Sequence, residues 1–374
     1  MKHIFAIVAI LLPLGNLPPL TVAAEDPSGT GLSWHEIPAE SIGGRGWASG
    51  EIASYGGRLP AKAEAIVRPP VWRLGLHSAG LTVRFNTDAE EIHLRYTLAS
   101  SKLAMPHMPA TGVSGFDLYA LDEGVWKWAA VFRPADGEDA SRQEGKLIDR
   151  LAPVRRTYQL YFPLYNAAES LAVGLPDGAS FELVAPDTTR PVVFYGTSIT
   201  HGACASRPGM THAAILGRRL DRPVVNLGFS GNGKMDLEVG ALLAEIDAAA
   251  YVIDCLPNMD AEQVAERATP FIKALAGARP ETPILLVEDR SFANAWIRPG
   301  QRDHHEASRA ALIRSFDGLV STGVRNLFYL EGNDLLGDDH EGTTDGSHPN
   351  DLGFLRQASV FEPILLQALA SDTD

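Results

Sequence analysis

Cysteine is scarce: 374 residues hold only Cys204 and Cys255, too few for a disulfide-framed scaffold. Positive charge is also short, with 32 Lys and Arg against 46 Asp and Glu and a formal net charge of −14. No basic stretch is long enough to follow a phosphate backbone, so nucleic acid is not an expected partner. Low-complexity tracts and internal repeats are missing. So are long apolar runs: the best, Ile4 to Leu14, is interrupted by Pro13 and followed by Gly15 and Pro18, short of the ~20 residues a spanning helix needs. With Lys2 before it and Val22-Ala23-Ala24 after it, that run reads as a secretory signal peptide over residues 1–24. The expected mature chain is secreted or periplasmic, without stable membrane insertion. An uncleaved anchor is the other reading, and no Cys follows the run to accept a lipid.

What is present is apolar content, 45% of residues, enough to fill two cores at this length. The chain changes character near "APDTTRP", Ala185 to Pro191. Before it, over residues 31–186, short alternating runs such as "LTVRFNT", "EIHLRYTL", "GFDLYALDEG", "TYQLYFPLY" and "SLAVGLP" are separated by turns, the pattern of an antiparallel β-sandwich of jelly-roll type. After it, over residues 190–374, apolar strand-like runs alternate with helical patterns: "PVVFY", "PVVNL", "AYVID", "PILLV" and "NLFYL" are each followed by an amphipathic stretch. That alternation predicts parallel βαβ units in a doubly wound, flavodoxin-like α/β sheet. Ligands of such sheets bind beyond the carboxyl ends of the strands.

The loop after "PVVNL" imitates a nucleotide site. Gly228, Gly233 and Lys234 stand at the spacing G-x-x-x-x-G-K, and "AAAYVID" ends in an Asp where a metal-binding acid would stand. Position 235, however, is Met, which cannot supply the hydroxyl that holds Mg²⁺. "GFSGN" likewise fails as a nucleophile elbow because Asn232 stands where Gly is required. No nucleotide is expected.

Four loops carry polar residues in a consistent order: "VVFYGTSITHG", "VVNLGFSGNG", "YVIDCLPNMD" and "EGTTDGSHPND". These blocks resemble the SGNH/GDSL hydrolase superfamily, and the region before them, with "GFDLY" and the later "CASRPGM", is similar to the branch bearing an amino-terminal jelly-roll domain. The resemblance implies a nucleophile at Ser198, an oxyanion hole from Ser198, Gly231 and Asn258, and an acid–base pair at Asp345 and His348. It implies no metal and no organic cofactor. Two positions depart from the commoner family pattern: Thr197 precedes the Ser where Asp is frequent, and Met259 follows the Asn where an acid is frequent.

The chemistry holds on its own terms. A Ser hydroxyl needs a base to take its proton, the imidazole needs an acid to fix its tautomer, and the developing oxyanion needs donors aimed at it beforehand. Taken singly, Ser198 is equally suited to capping a helix, Asn258 to capping the helix near Ala261, and Asp345 with His348 to a turn and cap. Three further substrate contacts are candidates: His107 at the centre of the long loop Ser100 to Ser114, Arg207 after the nucleophile, and Glu288 after the fourth strand. Arg207 has a second reading as a loop anchor, and Glu288, Asp289 and Arg290 have one as mutual partners. "DHHE", Asp303 to Glu306, is read as exposed rather than metal-binding, since adjacent His residues on a helix diverge. A Cys204–Cys255 disulfide is left open.

The expected activity is hydrolysis of small acyl esters, acetyl above all, on a small molecule or carbohydrate. Longer acyl chains (a lipase or thioesterase) and a catalytically inactive carbohydrate-binding protein are the alternatives. The sequence sets no oligomeric state.

Overall fold

The structure, a computed structural model, describes residues 31–370; the expected signal peptide lies outside them. Nine strands come first: β1 (Leu32–Glu36), β2 (Thr82–Thr87), β3 (Ile92–Leu98), β4 (Asp117–Asp122), β5 (Val125–Val131), β6 (Arg142–Ile148), β7 (Arg156–Tyr161), β8 (Ala168–Pro176) and β9 (Phe181–Val184). They form two antiparallel sheets, ordered β1-β8-β3-β6 and β5-β4-β7-β2-β9. Alternate residues of both sheets, among them Phe85, Leu94, Tyr96, Leu118, Tyr158, Leu160 and Val173, meet in one core. Strand β6 escapes a hydrophobicity reading because its inward positions include Gln143, whose amide is satisfied by the backbone of Ala135 and Ala140.

Five parallel strands follow: β10 (Val192–Gly196), β11 (Val224–Gly228), β12 (Ala250–Asp254), β13 (Ile284–Val287) and β14 (Leu327–Leu330), in the order β11-β10-β12-β13-β14. Strands β10, β12 and β13 are buried along their whole length, which is why they read as unbroken apolar runs. Their residues divide by twos. Val193, Tyr195, Tyr251, Ile253 and Leu286 enter one core, while Val192, Phe194, Val252, Leu285 and Val287 enter the other.

The helices in chain order are α1 (Pro69–Gly75), α2 (Ala110–Val113), α3 (Ser198–His201), α4 (His212–Arg219), α5 (Leu237–Leu243), α6 (Ala261–Ala278), α7 (Pro299–Ser321) and α8 (Asp351–Ala370). Helices α5, α6 and α7 cover one face of the parallel sheet, α4 and α8 the other.

The boundary between the two halves is less linear than the sequence implies. Leu59, Ala63, Val67 and Val71, from the stretch between β1 and β2, sit in the core of the parallel sheet rather than in the sandwich. The chain starts the sandwich, crosses to the α/β half, and returns.

Candidate active site

Strand β10 lies between β11 and β12, so the sheet changes winding direction beside it. The carboxyl ends of these three strands carry Ser198, the loop containing Gly231, and Asn258. After β10 the chain turns straight into α3. A Cβ on Gly196 would stand 2.2 Å from Thr200 Oγ1, so only glycine lets the helix fold back this closely. Thr197 is the N-cap, its Oγ1 accepting from Ile199 N at 3.3 Å. The capping role considered for Ser198 therefore belongs to its neighbour. A Thr side-chain oxygen fills the N-cap position here, as an Asp carboxylate also can. The Ser198 hydroxyl is left for other work: Oγ is 2.8 Å from His348 Nε2.

His348 Nδ1 lies 2.7 Å from Asp345 Oδ2. The other carboxylate oxygen, Oδ1, accepts from the backbone N–H of Ser347 at 3.0 Å and His348 at 2.8 Å. Partial burial raises the pKa of Asp345, but these hydrogen bonds outweigh it and hold the carboxyl below its usual range. An ionised Asp345 that accepts from Nδ1 leaves Nε2 lone-pair-out toward Ser198. Neither residue caps α8; Asn350 does, accepting from Gly353 N at 3.0 Å.

Gly231 sits at the exposed tip of the turn after β11 with φ +70°, a conformation that L side chains adopt at a cost. The turn lies hard against β10: a Cβ on Gly233 would be 2.1 Å from Gly196 O. Asn258 ends a single 3-10 turn, Leu256–Asn258. Its Oδ1 accepts from Gly233 N at 3.3 Å, an arrangement that aims the amide N–H₂ away from that contact. Asp260, not Asn258, caps α6. Ser198 occupies the first position of α3, where a backbone N–H has no intrahelical acceptor. Three candidate donors thus follow the carboxyl ends of three neighbouring strands, with Ser198 after the central one.

Residues 189–366 match the model of the GDSL-like lipase/acylhydrolase family, and residues 32–181 match the GxDLY model described as the N-terminus of SGNH-hydrolase-type esterases. A crystal structure described as a GDSL-like lipase from Bacteroides ovatus ATCC 8483 is 31% identical, with 90% of this chain and 98% of that one covered at a TM-score of 0.84. The chain belongs to the GDSL-like (SGNH) hydrolase family. Two more distant structures share the fold of this hydrolase. The salicylyl-acyltransferase SsfX3 of a tetracycline biosynthetic pathway is 18% identical over 92% of this chain and 96% of its own, TM-score 0.66. A family two carbohydrate esterase from Clostridium thermocellum, solved with cellohexaose, is 15% identical over 78% and 94%, TM-score 0.54. A comparison with curated proteins finds no match.

The remaining candidate residues of the hydrolase fall on both sides of expectation. His107 is brought to the site: a two-residue turn between Met105 and Met108 places its exposed ring 6.2 Å from that of His348. Arg207 takes the anchoring role. Its Nη1 donates to Asp117 Oδ2 at 2.8 Å and to Tyr119 OH at 2.6 Å, under the ring of Trp128. Asp117, fully buried, also accepts from Gly209 N and Trp128 Nε1. The "GFDLY" motif is therefore a clip that fastens the sandwich to the loop after Ser198 and α3. Glu288 is engaged within the fold, its carboxylate held by Tyr329 OH and Gly332 N, both at 2.8 Å. Nor do Glu288, Asp289 and Arg290 pair among themselves. Asp289 faces His305 at 2.8 Å, and Arg290 grips Asp254.

His305 corrects the reading of "DHHE" as exposed: it is buried against Phe292, while His304 stays in solvent. Cys204 and Cys255 are separate buried thiols. Burial pushes Cys204 up to about 11. Its Sγ, the Asp345 carboxylate and the His348 ring lie within 4.8 Å of one another, the only such grouping among the described residues.

Sequence reasoning missed the support beneath the site. Asp254, the acid that resembled a metal ligand, is wholly buried and receives both terminal nitrogens of Arg290, with Thr200 Oγ1 at 3.3 Å and Gln357 completing the guanidinium's shell. This fixes α3 and α8, the helices bracketing Ser198 and His348, to β12. Tyr165, from the sandwich side, donates to Ser198 O at 3.3 Å. Only the terminal Asp of "YVID" signalled any of this.

Proposed function

We propose that the protein is an exported serine esterase that hydrolyses small acyl esters, acetyl groups on carbohydrate foremost. The observation that carries the reading is the continuous chain Ser198 Oγ to His348 Nε2 to Asp345, at 2.8 and 2.7 Å. Ser198 Oγ attacks the ester carbonyl as His348 takes its proton. The tetrahedral intermediate places its oxyanion among the N–H groups of Ser198, Gly231 and Asn258, each such donor typically being worth about 2.7–4 kcal/mol. Collapse expels the alcohol, protonated by His348, and leaves an acyl-Ser198. Water, deprotonated by the same imidazole, then releases the acid and restores the hydroxyl.

Family membership supports ester hydrolysis. The carbohydrate preference draws support from the fold shared with a carbohydrate esterase and from the sequence expectation of export. No helix among the described residues is long and apolar enough to cross a membrane. Turnover of a small activated acetate ester by wild type, lost in Ser198→Ala, is the expected result. Rates from acetate to octanoate esters should fall with chain length; a preference for the long chains would instead make the protein a lipase or thioesterase. No wild-type turnover on a broad ester panel would favour a binding protein.

A further inference from the structure

The turn that presents Gly231 is held from outside by two arginines of the stretch between β1 and β2. Arg58 is 1% exposed, and its guanidinium donates only to carbonyls: Leu74 at 2.6 Å and His77 at 2.8 Å on its own segment, Asn226 at 2.8 Å and Gly228 at 3.0 Å at the end of β11. It also lies 5.3 Å from the centroid of the Phe229 ring. Arg68 takes the far side of the turn, donating to Asn232 Oδ1 at 2.8 Å, to Asn232 O at 3.1 Å, and to Asp236 Oδ2 at 2.7 Å. Asn232 in turn donates to Ser230 O at 2.9 Å. Gly231 is thus bracketed, with Arg58 on the strand before it and Arg68 on the residue after it. Both arginines ride on a segment whose Leu59, Ala63 and Val67 are anchored in the parallel-sheet core.

We infer that Arg58 and Arg68 form a clamp that presets the oxyanion turn, acting as positioning residues for the reaction proposed above. Burying a guanidinium is costly, and an apolar side chain serves equally well when only packing is needed. Neutral carbonyls satisfy the donors of Arg58 without cancelling its charge. A positive charge kept at the base of the turn favours an oxyanion forming at its tip. Arg68, by fixing Asn232, limits the freedom of the flexible glycine before it. The clamp rests on the esterase reading, and gives two residues of the stretch between β1 and β2 a positioning role at the site.

The test uses the full chain with an activated acetate ester and a boronic acid that mimics the tetrahedral intermediate. Arg68→Gln should lower kcat about tenfold and Arg58→Lys roughly 10–100-fold, the scale of a misplaced catalytic group. For Arg68→Gln, KM, the pH profile and the unfolding temperature should change little, and for both variants boronate affinity should fall in step with kcat. Arg68→Lys should recover part of the loss. Lys62→Ala, on the same segment but bound outward to Glu245 at 2.8 Å, should leave kcat unchanged. If Arg58→Lys does not fold, the more exposed Arg68 decides the matter. An active wild type with kcat and boronate affinity retained in Arg68→Gln overturns the clamp alone; a wild type without turnover overturns the esterase reading beneath it.

Discussion

Two loops of the candidate site are organised in opposite ways. The loop carrying Asp345 and His348 largely holds itself. Asp345 accepts from Ser347 and His348, Gly346 N donates to Thr343 Oγ1 at 3.1 Å, and Thr344 N donates to His348 O at 2.9 Å. The loop carrying Gly231 leans on residues more than 160 positions away, Arg58 and Arg68. A self-contained constellation leaves a short motif in the sequence, whereas a constellation held from afar leaves almost none. A catalytic motif search therefore finds the acid and base first, and the oxyanion support last.

Substitutions can break or sharpen this contrast. The largest effect in the pair should come from Asp345→Asn, which keeps the shape but loses the charge and the correct tautomer; kcat on an activated acetate ester should fall about 10⁴-fold. A loss under tenfold would mean that the loop's backbone, not its acid, orients His348. Next, Gly231→Val should lower kcat roughly 10²-fold. No atom lies within 4 Å of a Cβ there, so the penalty comes from forcing a β-branched residue to φ +70°, which shifts the N–H by redirecting the turn. Full activity in that variant would remove Gly231 from the oxyanion hole. The smallest effect should be that of Lys234→Ala, less than twofold by the same assay. The backbone of Lys234 is engaged, its N–H with Tyr195 OH and its carbonyl with Arg267, and neither contact needs the side chain. If Lys234→Ala were the more damaging of the two, the phosphate-loop resemblance would regain substance.

Much of the fold was legible for physical reasons. Strands β10 to β14 are short apolar runs separated by amphipathic helices, a pattern with few alternative solutions. The proposed triad leaves a trace in the sequence because its members follow strands of one sheet in a set order. Arg207 and Glu288 each kept two readings in the sequence for a shared reason: a charged residue near such a loop looks the same in sequence whether it faces solvent or a buried partner. Arg207 found Asp117, and Glu288 found Tyr329 and Gly332. His305 went wrong similarly, since one helical position decides between solvent and Phe292.

By itself, then, the sequence determined the residue types and their local frame: the Gly-Thr-Ser turn, the Asp-x-x-His loop, the alternation that builds both halves. These depend on neighbours within a few positions, where backbone geometry and capping act. Tertiary structure alone decided which charges are spent internally, and that Asp117 clips the two halves together. It also decided that a segment ahead of the sandwich's second strand passes into the α/β half to grip the oxyanion turn. Those outcomes turn on which surfaces meet once apolar faces are buried, and no local pattern records the partner of a charge that lies 160 residues away.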